Sequence, residues 1–84
     1  MSVQVAAEFL IEPFSEGRPG PHVKTAVEAV ERAGLTVDVG PFGNVTTGEA
    51  ATVLDAIADA LTAALDHGAT RVSLSIARLE TSDT

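Results

Sequence analysis

The 84 residues contain no cysteine, no tryptophan and no tyrosine. Without cysteine there is no disulfide framework and no thiolate metal site. Without the two larger aromatics, three phenylalanines are the only big anchors for a core. Cations are also scarce: five Lys and Arg stand against twelve Asp and Glu, a net charge of −7. Nothing in such a chain neutralises a run of phosphates, so nucleic acid is excluded as an expected partner. An acidic field favours cationic ligands, although it is more often a solubility device. No apolar run approaches the ~20 residues that span a bilayer, and no basic stretch leads into an apolar one. The expectation is a cytoplasmic protein that makes no membrane contact.

What is present is fine-grained. Hydrophobic residues make up 45% of the chain, and most of them are Ala and Val. One domain is expected over residues 1–84, with a core over about 3–79 and a frayed tail over 80–84. A chain this short buries a modest share of its surface, so assembly into a homodimer or homotetramer is expected to complete the core.

The pivot is the stretch from Val37 to Glu49, read as strand, tight bend, short strand and helix start. Before it, Val3, Val5, Ala7, Phe9 and Ile11 alternate with Gln4, Ala6, Glu8 and Leu10, the period-two pattern of a strand with one face in a core. Pro13 ends that strand, and Phe14 to Gly20 reads as a loop. Pro21 suits the first position of a helix, and Val23, Ala26, Val27 and Val30 recur at helical spacing. Gly34 is the expected stop.

Leu35, Val37 and Val39 alternate with polar residues as a second strand. Pro41, Phe42, Gly43 and Asn44 bend the chain, and Val45 marks a short third strand. Thr46 to Glu49 fits a capping box for the next helix. That helix runs from Ala50 to His67, with Leu54, Ile57, Leu61, Ala64 and Leu65 as its apolar stripe. Asp55 and Asp59 lie four apart on its other side, a mildly unfavourable pair. His67 and Gly68 close it. Arg71 to Arg78 is a last strand, with Val72, Leu74 and Ile76 on one side and Ser73, Ser75 and Ala77 on the other.

The order is βαββαβ. Two right-handed βαβ crossovers interleave into an α+β ferredoxin-like plait: a four-stranded antiparallel sheet of order 4-1-3-2 with both helices on one face. The open face is then expected to carry Glu8, Leu10, Asp38, Phe42, Asn44, Thr46, Ser73 and Ser75. Its small side chains suit close approach of another protomer, face to face or edge to edge.

The run from Pro41 to Glu49, with a first strand ending at Pro13, Gly34-Leu35 after the first helix and Gly68 to Val72 before the last strand, resembles the YkoF-like thiamine-binding protein family. The resemblance covers about residues 3 to 79 and rests on order and spacing together. It implies a ferredoxin-like fold, dimers or tetramers, binding of thiamine or its hydroxymethylpyrimidine part, and no catalysis. Many members of that family place an acidic residue just before the glycine of the third strand. Here that position is Thr47, with Glu49 after Gly48.

Five residues are the ligand-binding candidates. Glu8 offers a carboxylate to an aminopyrimidine or a thiazolium cation. Phe42 offers a ring for stacking. Asn44 and Thr46, with Thr47, offer donors and acceptors near the bend, and Ser75, with Ser73, is expected to complete a small polar pocket from the last strand. Each has a plainer reading: oligomer packing for Glu8 and Phe42, turn and cap chemistry for Asn44 and Thr46, small size for the serines. His22 reads as a surface residue in a first helical turn, and His67 sits at a helix C-terminus. No His, Asp and Glu set has metal-ligand spacing, so no metal is expected. No cofactor is implied beyond thiamine or hydroxymethylpyrimidine as ligand.

Enzyme chemistry has little support, since no nucleophile elbow and no glycine-rich phosphate loop is present. A non-catalytic vitamin-binding protein is the leading expectation. The alternative is an oligomeric regulatory or scaffolding module for another metabolite or a protein partner, and a hydrolase ranks last.

Overall fold

The computed structural model describes residues 3–13, 20–40 and 43–79. In chain order the elements are β1 (Gln4–Glu12), α1 (Pro21–Arg32), β2 (Asp38–Gly40), β3 (Gly43–Glu49), α2 (Ala50–Asp66) and β4 (Arg71–Arg78). They form one four-stranded antiparallel sheet of order β2-β3-β1-β4, which read from its other edge is 4-1-3-2. This is the α+β ferredoxin-like plait that the alternation and helix periods predict.

β1 organises the sheet because it is long and pairs on both sides. Ala7 lies opposite Thr46 on β3 and Ile76 on β4; Phe9 lies opposite Asn44 and Leu74. Val5, Ala7, Phe9 and Ile11 are all buried and meet Ala26, Ala29 and Val30 of α1 and Val53, Ala56, Ile57, Ala60 and Ala64 of α2 in a single cluster. Small alanines on both helices let the two helices and the sheet approach closely around a core with few large side chains. α1 connects β1 to β2 and α2 connects β3 to β4; the helices pack side by side, and α2 lies against β3, β1 and β4.

The helix ends follow the sequence. Pro21 opens α1 after an extended Gly20, and α1 closes into Gly34 at φ 87°. α2 closes into Gly68 at φ 106°. Both glycines adopt left-handed conformations that a side chain would resist.

The structure departs from expectation in five places. β2 is short, Asp38–Gly40, although Leu35 and Val37 just before it still pack against the core. β3 is long, Gly43–Glu49, because β1 offers partners all the way to Gln4 opposite Glu49. The capping box therefore does not form: Glu49 is the N-cap of α2 and no side-chain cap bond is made there. In α2 the buried stripe is Val53, Ala56, Ile57, Ala60 and Ala64, whereas Leu54 and Leu65 are half exposed. Finally, His22 is buried rather than on the surface, with Nε2 at 2.8 Å from the carbonyl of Pro13. That nitrogen must carry a proton to donate to a carbonyl.

No helix among the described residues is long and apolar enough to cross a membrane. The expectation for residues 80–84 lies outside the described residues.

Candidate functional site

Directly opposed residues in an antiparallel ladder share a face, so the registers fix what the open side of the sheet displays. One row crosses all four strands: Asp38 on β2, Val45 on β3, Glu8 on β1 and Ser75 on β4. The next row toward the β2–β3 hairpin contains Gly40 opposite Gly43 and Leu10 opposite Ser73. In the other direction Thr47 and Ala77 flank Ala6. By these pairings the face carries four carboxylates, Glu8, Glu12, Asp38 and Glu49, against one guanidinium, Arg71.

A pocket of about 210 Å³ lies on this face, lined by Glu8, Phe9, Leu10, Gly43, Ser73, Leu74 and Ser75. Its chemistry comes from the alternate positions. Leu10 supplies an apolar patch, Ser73 and Ser75 supply hydroxyls that donate or accept, and the Glu8 carboxylate accepts. Gly43, with no side chain, keeps the β3 side low. Glu8 is exposed, so its charge is solvated and available. Strands lie about 4.8 Å apart, which puts Asp38, two strands from Glu8, roughly 10 Å away with Val45 between them. The row thus presents two acidic groups separated by an apolar one.

Of the five candidates, the structure brings Glu8 and Ser75 together as cross-strand neighbours on the pocket wall. Phe42 lies outside the described residues; its neighbour Gly43 lines the pocket. Asn44 and Thr46 are not on the open face. Each lies opposite a buried β1 residue, and they are only 5% and 1% exposed. The Asn44 Nδ2 donates to the Phe9 carbonyl at 3.1 Å, and the Thr46 Oγ1 donates to the Thr36 carbonyl at 2.8 Å. Both side chains therefore meet the backbone inside the helix-covered layer, which satisfies buried polar groups that would otherwise be costly. The phase of β3 is the reason: Val45, its single large apolar residue, points outward, and two polar residues point in.

Leu10, Ser73 and Val45 complete what sequence reasoning saw only in part. Alternation places Leu10 and Ser73 on the open face, but nothing local marks Val45 as outward. The two histidines are elsewhere: His22 is tied to Pro13, and exposed His67 has Nδ1 at 2.8 Å from the Ala63 carbonyl. No group of three potential metal ligands occurs among the described residues.

A family model described as thiamine-binding protein matches residues 7–83. No curated protein matches the chain significantly. Among solved structures, a domain of unknown function, DUF77, from Bacillus cereus is 30% identical, with a TM-score of 0.69 over 99% of this chain and 81% of that one. A hypothetical protein of Methanocaldococcus jannascii is 29% identical, with a TM-score of 0.68 over 96% and 84% of the two chains. A Thermotoga maritima protein, for which a role in thiamine biosynthesis or salvage is suggested, shares the fold at 19% identity, with a TM-score of 0.65 over 93% of this chain and 84% of that one.

Proposed function

The chain belongs to the thiamine-binding protein family, and from that premise we propose that it is a non-catalytic cytoplasmic binding protein for thiamine or its hydroxymethylpyrimidine part. The supporting observation is the pocket beside Glu8 on the open sheet face. The Glu8 carboxylate accepts from an exocyclic amine, the Ser73 and Ser75 hydroxyls serve ring nitrogens or the hydroxymethyl group, and Leu10 takes the ring face. Asp38, about 10 Å from Glu8 across the row, offsets the fixed positive charge of a thiazolium. Phe42, next to Gly43 in the chain, remains the stacking candidate. Asn44 and Thr46 serve by holding β3 against Phe9 and Thr36 rather than by touching the ligand.

Size bears on the form of the complex. A volume of about 210 Å³ suits one aromatic ring, whereas sites that enclose a drug-sized ligand run to ~300–1,000 Å³. The exposed side of a bound molecule therefore needs a second surface, and the working form is a homodimer or homotetramer.

Calorimetry with thiamine and with hydroxymethylpyrimidine tests the reading. Binding to the natural chain is expected to weaken at least about tenfold in Glu8→Gln, the loss of one charge-assisted hydrogen bond. Absence of heat and of any thermal shift at millimolar concentrations of both compounds rejects it.

A further inference from the structure

Proteins hold phosphate with guanidinium or ammonium groups, or with free amides at a helix start. The pocket on the open face has neither among the described residues. The chain has five cationic residues. Lys24 and Arg32 belong to α1, in the helix layer. Arg78 lies opposite buried Val5, which turns it to the helix-covered side. Arg71 is on the open face, but it lies directly opposite the Glu12 carboxylate and does not line the pocket. Arg18 lies outside the described residues.

Both helix starts are already committed. α1 opens on Pro21, which has no amide hydrogen, and the amides of Val23 and Lys24 both donate to the Gly20 carbonyl at 3.1 Å. α2 opens on Glu49, a carboxylate where an anion would have to sit, and the Ala50 amide donates to the Val3 carbonyl at 2.8 Å. What surrounds the pocket is of the opposite sign. Glu8 is on its wall, and Asp38 stands in the same row with Val45 between. A second copy of a chain with net charge −7 brings the same excess, so assembly does not relieve the field.

From this arrangement we infer that the pocket selects the free alcohol form of its ligand and rejects the phosphate esters of the same compound, an inference that rests on the ligand reading above. A phosphate monoester carries about −1.5 to −2 charges at neutral pH. Thiamine is a cation, so its monophosphate is a net anion with the same two rings, and the acidic row attracts the first and repels the second. Hydroxymethylpyrimidine is neutral, so for that pair the repulsion acts alone. The two esters meet different carboxylates. With the hydroxymethyl group at Ser73 and Ser75, a phosphate on it adjoins Glu8. With the thiazolium toward Asp38, a phosphate on its side chain adjoins Asp38. Esterification of the hydroxyl thus converts a ligand into a compound that the protein does not retain, and the discrimination is made by charge rather than by shape.

Calorimetry of the natural chain with four probes tests this: thiamine, thiamine monophosphate, hydroxymethylpyrimidine and its monophosphate. At about 10 mM salt, where the Debye length is about 30 Å, each ester is expected to bind at least about tenfold more weakly than its free alcohol. At about 1 M salt, where that length is about 3 Å, the ratio should fall to about threefold or less. Asp38→Asn alters an exposed position. It should narrow the ratio for the thiamine pair about threefold at low salt and leave that for the hydroxymethylpyrimidine pair nearly unchanged. Esters that bind as tightly as the alcohols overturn the inference and leave the ligand reading standing. A ratio that persists unchanged at high salt also overturns it, since exclusion by shape is insensitive to screening. Absence of binding by all four probes rejects the ligand reading and the inference with it.

Discussion

Thr46 separates a framework role from a ligand-binding one. Its side chain is 1% exposed, and its hydroxyl donates to the Thr36 carbonyl at 2.8 Å. Thr36 sits between Leu35 and Val37, the half-buried residues that seat the connector from α1 to β2 on the core. The bond thus clamps that connector to β3. Thr46→Val keeps the shape and removes the donor, at a net cost of about 0.5–1.5 kcal/mol for one neutral hydrogen bond. Thr46→Ser keeps the donor and removes a methyl, at about 0.8 kcal/mol plus a small cavity contribution. For a domain of this length 1 kcal/mol moves the midpoint by roughly 4–8 °C, so both variants should melt about 4–8 °C below the natural chain. Circular dichroism at one fixed protein concentration is the assay, since assembly makes melting concentration-dependent. Thiamine affinity should stay within about twofold in both. An unchanged melting temperature in Thr46→Val together with a tenfold loss of affinity would refute the placement of Thr46 in the frame.

Other outcomes follow from the same structure. His22→Ala removes the contact with the Pro13 carbonyl and most of a buried ring, and should cost about 1–3 kcal/mol in a urea titration. A Cβ at Gly48 would lie 3.0 Å from Leu35 Cδ2 and 3.3 Å from Val53 Cγ2, so Gly48→Ala should destabilise by about 1 kcal/mol or more through overpacking. Asp59→Lys replaces a like-charge pair on α2 with an Asp55–Lys pair in the favourable order. It should raise the melting midpoint by a few degrees, about 0.5–1 kcal/mol, with the gain shrinking in high salt. Thr47→Glu adds a carboxylate diagonal to Glu8 on the open face and should tighten binding of thiamine severalfold while leaving neutral hydroxymethylpyrimidine less affected, as read by calorimetry.

The architecture was legible because β1, α1 and β4 each obey a single period and because Gly34 and Gly68 mark the helix ends. Glu8 and Ser75 were legible for the same reason: alternation in β1 and β4 places them on the open face whatever the rest of the chain does. The phase of β3 was not legible. Gly43 to Glu49 offers one large apolar residue, and hydrophobic logic turns Val45 inward. The register with β1 turns it outward, and two side-chain bonds to the backbone make Asn44 and Thr46 acceptable inside. Leu54 and Leu65 escaped for a different reason. In a helix as apolar as α2 two stripes satisfy the helical period, and only tertiary contact chooses between them.

Glu8 takes its place from hydrogen-bonded pairs that also bury Ala7 and Phe9 on either side of it. Slipping β1 by a single step against its neighbours would thrust a carboxylate into the hydrocarbon layer and present a phenyl ring to water. Under the proposed reading, recognition and folding are therefore not separable: a molecule assembled in the wrong alignment has no weakened site but none at all. Ligand occupancy, measured on a mixed preparation, would consequently count correctly aligned sheets.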